Sequence, residues 1–359
     1  MRRLALLSMV VIAVAVSVCQ EILAQDLPHE IYVEGGRHHV QGIALDREAG
    51  CMYFSFTDSF VKTDLQGRVI GTVEHIQGHL GAMVFNPVDR KVYASLECKD
   101  DVIGRGLSDF AKGRSMFYVA IIDVDRVSSV GMDSEDNDAF RIVCIREATK
   151  DYHSKFYGCS GIDGVAIAPR IGKRGGRDYL YVAYGIYGDT SRDDNDCQVL
   201  LRYDFKDLNA HSGRVRFGEF YSEGPSRPLD KYFVFTGNTN WGVQNMAYDR
   251  SLGRMFLFVY KGAKDIFANY DAFSFDTSGK PSRKGLPGVT YDRSRHKVIG
   301  TGDNPVSGLF FKYGSTGVSP LGDGRFYFSE NGRSEETGRQ FSRVRLYRWD
   351  GKAFVPCED

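Results

Sequence analysis

Apolar residues along this chain fall in short runs separated by polar turns, and one arrangement of runs recurs five times. Each copy opens on a Gly- and polar-rich lead-in to a short apolar run, then a tight turn, a second apolar run, and a third that closes on an Asp-centred turn. The lead-ins are His39-Val40-Gln41-Gly42, His79-Leu80-Gly81, Gly161-Ile162-Asp163-Gly164, Gly242-Val243-Gln244 and Gly317-Val318-Ser319. The closing turns centre on Asp64, Asp123, Asp204, Asp276 and Asp350. In the first copy Ile43-Ala44-Leu45 precedes the turn and Met52-Tyr53-Phe54-Ser55-Phe56 follows it. Met83-Val84-Phe85 with Val92-Tyr93-Ala94-Ser95-Leu96 repeats this, as does Met246-Ala247-Tyr248 with Met255-Phe256-Leu257-Phe258-Val259. Aromatic and β-branched runs of this length, split by turn residues, predict antiparallel hairpins, and helical periodicity is nearly absent.

A supersecondary unit copied at this scale buries its apolar faces only against its neighbours. Four-stranded units arranged around an axis make an all-β propeller, whose closure leaves little exposed sheet edge. With strands named A to D from the axis outward, the lead-ins begin the A strands, the B strands contain Tyr53, Tyr93, Tyr181, Phe256 and Phe326, and the C strands end at the five aspartates. Arg68 to Val73, Phe140 to Ile145 and Tyr232 to Phe235 supply outer strands, and Glu30-Ile31-Tyr32-Val33 is expected to complete the last blade and clasp the ring. Five blades are favoured. Six stay open, because Gly288-Val289-Thr290-Tyr291-Asp292-Arg293-Ser294-Arg295 echoes Ala247-Tyr248-Asp249-Arg250-Ser251 without a C strand after it.

Composition adds an address. Met1-Arg2-Arg3 followed by an apolar stretch from Leu4 to Val18 is the pattern of a secretory signal, which divides the chain into a leader over 1–25 and one propeller domain over 26–359. The expected location is secreted, periplasmic or cell-surface. Cys19 offers lipid attachment as a variant, although Val18 is bulky where such signals carry a small residue. No second apolar stretch reaches the about 18 residues of a membrane span. The six cysteines after the leader predict buried or loop thiols with one or two bridges. Lys+Arg and Asp+Glu both number 46, so no global field collects nucleic acid or anionic membrane.

Loop lengths choose a face. The A-to-B turns are tight in three copies, whereas the B-to-C loops are long: Lys99 to Ser115, Gly185 to Asp196, Lys261 to Tyr270 and Glu330 to Gln340. These loops share one end with the lead-ins, and that end carries the expected function. There the pattern gathers His38, His39, His79, Asp163, Asn240, Trp241 and Gln244, with Ser319 expected to open toward the same mouth. Glu97, Lys99, Tyr184, Tyr187, Lys261 and Glu330 come from the B-strand ends. Polar and aromatic groups around a funnel suit a sugar, whose ring faces stack on Trp or Tyr. His39 and His79 hold equivalent positions in adjacent copies, where imidazole serves as base or metal ligand. Glu97, Asp163 and Glu330 are the carboxylates of a hydrolase.

The repeats resemble those of NHL-type, lactonase-like and five-bladed carbohydrate-active propellers, with no motif that selects one family. The expected function is an exported carbohydrate-active propeller with one central site. A lyase would use His39 or His79 with Tyr184 while Lys99, Lys261 or Arg37 neutralises a uronate; a hydrolase would use Asp163, Glu97 and Glu330. The alternative is a non-catalytic glycan- or protein-binding propeller. A divalent metal, calcium or a histidine-bound ion, is compatible but not required; Asp189-Thr190-Ser191-Arg192-Asp193-Asp194-Asn195-Asp196 has calcium-like oxygen density without the EF-hand pattern. Gly172-Lys173-Arg174-Gly175-Gly176-Arg177 lacks Walker spacing and reads as a solvated hairpin on the opposite face. Neither Gly-x-Ser-x-Gly nor His-Glu-x-x-His occurs, which argues against serine esterases and zincins.

Overall fold

The computed structural model describes residues 27–107, 112–286, 296–301 and 304–358. The expected leader over 1–25, Cys19 and the Gly288–Arg295 echo lie outside these residues. Strand β1 (Glu30–Glu34) comes first. Blade 1 follows as β2 (Gly42–Asp46), β3 (Cys51–Ser55), β4 (Phe60–Asp64) and β5 (Val69–Glu74). Blade 2 is β6 (His79–Asn86), β7 (Lys91–Cys98), β8 (Met116–Asp123) and β10 (Phe140–Cys144), with the short β9 (Met132–Asp133) returning to the edge of blade 1. Blade 3 is β11 (Cys159–Pro169), β12 (Asp178–Ile186), β13 (Cys197–Tyr203) and β15 (Asp230–Phe235), while β14 (Gly213–Arg214) extends blade 2. Blade 4 is β16 (Thr239–Asp249), β17 (Arg254–Lys261), β18 (Ala272–Asp276) and β21 (Ser307–Leu309). Between the last two, β19 (Ser282–Arg283) and β20 (Lys297–Ile299) add to blade 3. Blade 5 is β22 (Val318–Pro320), β23 (Arg325–Arg333) and β24 (Gln340–Trp349), flanked by β25 (Phe354–Pro356).

The inner strands β2, β6, β11, β16 and β22 touch in that order, and β22 returns to β2. The protein is a five-bladed β-propeller. The expected clasp forms: β1 pairs with β24 from Glu30 opposite Arg345 to Glu34 opposite Phe341, with Ile31 and Val33 buried. Crowding at the axis selects small residues. A Cβ on Gly42 would lie 2.6 Å from the Gly81 carbonyl oxygen of the next blade. Serines on second strands tie neighbouring blades: Ser55 Oγ donates to Gly81 O at 2.7 Å, and Ser95 Oγ to Asp163 O at 2.7 Å.

The recurring aspartates have a local cause, because a carboxylate that accepts from backbone N–H groups two or more residues on holds the turn closed. Asp64 accepts from Gln66 and Arg68, Asp276 from Ser278, and Asp350 from Lys352 and Ala353. Asp204 instead caps a short helix, α3 (Phe205–Ala210). The other helices are α1 (Val102–Leu107), in the loop after β7, and α2 (Arg146–His153), which packs against β8 and β11. The six cysteines of the described residues, Cys51, Cys98, Cys144, Cys159, Cys197 and Cys357, are free thiols, five of them buried in or beside the strands, so the expected bridges are not formed. No helix among the described residues is long and apolar enough to cross a membrane.

Candidate functional site

The site is built where blade 2 meets blade 3. His79 opens β6 and stands directly across from Glu97, near the end of β7. Asp163 lies in a register shift of β11 between Ile162 and Val165, and such a bulge re-aims side chains. One ligand atom each from His79, Glu97 and Asp163 lies within 4.8 Å of the others. Glycines of blade 3 make room for both carboxylates. A Cβ on Gly161, whose φ is +137°, would sit 1.8 Å from Glu97 Oε1, and one on Gly185 would sit 2.7 Å from Asp163 Oδ2.

Burial sets the electrostatics. Glu97 is 8 % exposed; desolvation holds its proton well above the usual carboxylate range, with Asp163 and Asp101 adding to the shift against Lys99. Desolvation likewise pushes Asp163 up to about 7, opposed by Lys99 and by Gln244, whose Nε2 donates to Oδ2 at 3.2 Å. Lys99 is as buried as Glu97. Burial opposes its charge, but Glu97, Asp163 and Asp101 outweigh that and hold the ammonium protonated. Its Nζ lies 3.5 Å from Glu97 Oε2 and 3.2 Å from Asp101 Oδ2. Burial pushes His79 down to about 4 and also lowers His39, so both rings are neutral near pH 7. His79 Nδ1 and Glu97 Oε1 are buried without hydrogen-bond partners. His79, Glu97 and Asp163 are therefore the residues able to hold a divalent ion, with Lys99 as the cation already beside them.

A cavity of about 230 Å³ lies above this cluster, lined also by His39, Gln41, Asp101, Gly104, Ser160, Trp241, Gln244 and Tyr260. Trp241 is 43 % exposed at its rim and meets the Tyr187 ring edge-on at 5.5 Å. Its backbone is left-handed, with φ of 64°, and its carbonyl accepts from Gln244 Nε2 at 3.1 Å. An apolar wall beside convergent polar groups is the make-up of a ligand pocket.

The structure brings together His39, His79, Asp163, Glu97, Lys99, Trp241 and Gln244, with Tyr187 against the rim. It separates the rest. Tyr184 is fully buried in the core between blades 2 and 3, near Asp151 rather than the cavity. Glu330, on β23, pairs with Arg345 Nη1 of the neighbouring β24 at 3.3 Å within blade 5. His38 pairs with Asp58 at 3.6 Å, Lys261 and Asn240 are exposed beyond the lining, and Arg37 lines a different groove. Ser319 is at the other end of the axis, where its Oγ accepts from Leu45 N at 3.1 Å. At the Asp189–Asp196 loop, buried Lys264 Nζ donates to Asn195 Oδ1 at 3.0 Å and to Asp196 Oδ1 at 2.5 Å, which places an ammonium among the loop's oxygens. Sequence reasoning passed over Gln41, Asp101 and Ser160. Gln41 had a signal, since Val40-Gln41 and Val243-Gln244 occupy matching places in two lead-ins.

No protein-family model matches this chain, and no curated protein does. Among solved structures it is similar to the native arabinanase Arb43A of Bacillus subtilis, at 10 % identity over 88 % of this chain and 96 % of that one, with a TM-score of 0.39. It is similar also to regucalcin, a calcium-binding protein of Agrobacterium tumefaciens, at 11 % identity over 92 % and 99 %, with a TM-score of 0.33. The computationally designed Ika4 protein aligns at 10 % identity over 67 % and 95 %, with a TM-score of 0.26. Likeness this slight transfers no activity, and the propeller assignment rests on the five sheets themselves.

Proposed function

We propose that the central cavity is the active site of an exported glycoside hydrolase acting on a neutral glycan, with Glu97 as acid and Asp163 as nucleophile. The observation that carries this reading is the pair of buried carboxylates beside His79, with ligand atoms within 4.8 Å of one another, beneath an exposed tryptophan. Carboxylate oxygens within 4.8 Å of one another lie well under the about 6.5–9.5 Å of inverting enzymes and favour the retaining route. Glu97, the group more strongly disposed to keep its proton, gives it to the leaving glycosidic oxygen as that bond breaks. Asp163, oriented by Gln244, attacks the anomeric carbon to form a glycosyl ester. Glu97, now ionised, takes a proton from water as the water displaces Asp163, restoring both groups.

Charge favours a neutral sugar over a uronate. The lysine that lines the cavity, Lys99, is already engaged by Asp101 at 3.2 Å and Glu97 at 3.5 Å, and Lys261 and Arg37 do not reach it, so no cation is left to meet a uronate. A polysaccharide screen reading new reducing ends tests the reading. Wild-type protein releases reducing ends from a neutral glycan with retained anomeric configuration by NMR, and Glu97→Gln and Asp163→Asn each lower turnover by about 10²–10⁴-fold. Unsaturated-uronate absorbance would establish the lyase instead. Binding without turnover on every glycan would leave a binding propeller.

A further inference from the structure

The Gly172–Arg177 hairpin borders a groove of about 270 Å³ on the face opposite the mouth. The hairpin joins β11 to β12, and Gly172 packs so closely on the blade 4 loop that an added Cβ would lie 3.0 Å from Pro281 Cδ. Gly172 N also donates to Thr277 O at 2.8 Å, which fixes one wall of the groove to the other. Five cations face the space: Arg170, Lys173, Lys280, Arg283 and Lys297.

Among the described residues, the carboxylates nearby do not balance them. Asp230 is buried beneath the groove and is shared: it accepts from Arg202 Nε at 2.8 Å and from Tyr232 Oη at 3.1 Å, pairs with Lys297, and lies 3.6 Å from Arg170 Nε. One negative charge thus serves three cations, and Arg202 Nη1 stays buried without a partner. Burial, then the charges of Arg170 and Arg202, push the Lys297 ammonium below the ordinary lysine range. Other cations of this face have carboxylates of their own, Arg177 with Asp204 at 2.7 Å and Arg250 with Asp178 at 2.5 Å. Lys173, Lys280 and Arg283 have none among the described residues. Since the chain as a whole is neutral, this excess is a local property of the groove.

We propose that this groove binds a tetrahedral oxyanion of the phosphate or sulfate class. Arginine offers forked donors to such a group and lysine a point charge, and an anion with several acceptor oxygens can meet the uncompensated cations on both walls. The site is independent of the central cavity and of the hydrolase reading.

Calorimetric titration of inorganic phosphate and of sulfate, with chloride at matched ionic strength as reference, tests it. Saturable binding is expected, weakened about tenfold or more in Lys173→Glu with Arg283→Glu and in the milder Lys173→Gln with Arg283→Gln, all exposed substitutions. Arg68→Glu on blade 1 and Asp163→Asn in the central cavity should leave it unchanged. Equal heats in chloride, or unchanged affinity in both double variants with unaltered circular dichroism, overturn the proposal. Competition against bound phosphate identifies the source of the group: displacement by dextran sulfate names a sulfated polymer, displacement by phosphatidylserine vesicles names a lipid headgroup, and displacement by neither names the free ion.

Discussion

Glu97 and Asp163 share one low-dielectric space, so their protons belong to the pair rather than to either residue. Catalysis needs one proton on the pair. Activity should therefore rise as pH passes through the Asp163 region near 7, and fall when Glu97 too loses its proton. A pH-rate profile checks this; Glu97→Gln should remove the alkaline fall along with most of the rate, whereas His79→Ala should leave the bell in place. The same burial has a stability consequence with a definite sign. The folded-state pKa of Asp163 is raised above its unfolded value, so the stability linked to this group is full below about 4 and is lost as pH rises through about 7. Asp163→Asn removes that loss. It should raise the melting temperature at pH 8, by about 0.5–2 kcal/mol in stability, and do little at pH 4, as differential scanning calorimetry would read.

Ser95 shows how an element places a catalytic group. Its hydroxyl, buried on β7, holds the Asp163 backbone carbonyl of the next blade, so the bulge that aims the carboxylate is tied to the strand that carries Glu97. Ser95→Ala should cost about 1–3 kcal/mol by leaving a buried carbonyl unpaired, and should lower kcat with little change in KM. Equilibrium denaturation and steady-state kinetics of the variant would measure both. Element geometry also explains what the sequence did and did not disclose. The lead-ins of β6, β11 and β16 carry register shifts that extend them to the mouth, and these deliver His79, Asp163 and Gln244 as their matching positions implied. β22 is three residues long without such a shift, so Ser319 falls lower on the axis. Tyr184 and Glu330 looked equivalent to Glu97 by distance from a strand end. Side chains alternate faces along a strand, however, and position alone does not give the face when turns and bulges differ between copies. Asp101 comes from a loop, where no periodicity exists to read.

At the scale of the whole molecule, the five repeats, the tight lower turns and the clasp were legible because each follows from periodicity and from the need to hide sheet edges. Meeting points between blades were not, since they depend on how far each sheet rotates about the axis. The clasp is open to direct test. Ile31 is 1 % exposed within the core shared by blades 1 and 5, and Ile31→Ala should destabilise the protein by about 2–5 kcal/mol in urea unfolding. Removing β1 altogether should bare the edge of β24 and yield self-association by light scattering.

That clasp also orders events in time. Glu30 meets Arg345 across 315 positions of sequence, so the last blade lacks its outer strand until nearly the whole chain has been made. Blades 2, 3 and 4 draw most of their pairing from nearby sequence and can assemble as they emerge, whereas closure must wait for β24 and bears the slow, long-range part of folding. The interior blades are thus set before the ring is, and the molecule becomes a closed ring only once β1 and β24, the paired strands that lie farthest apart along the described sequence, have met.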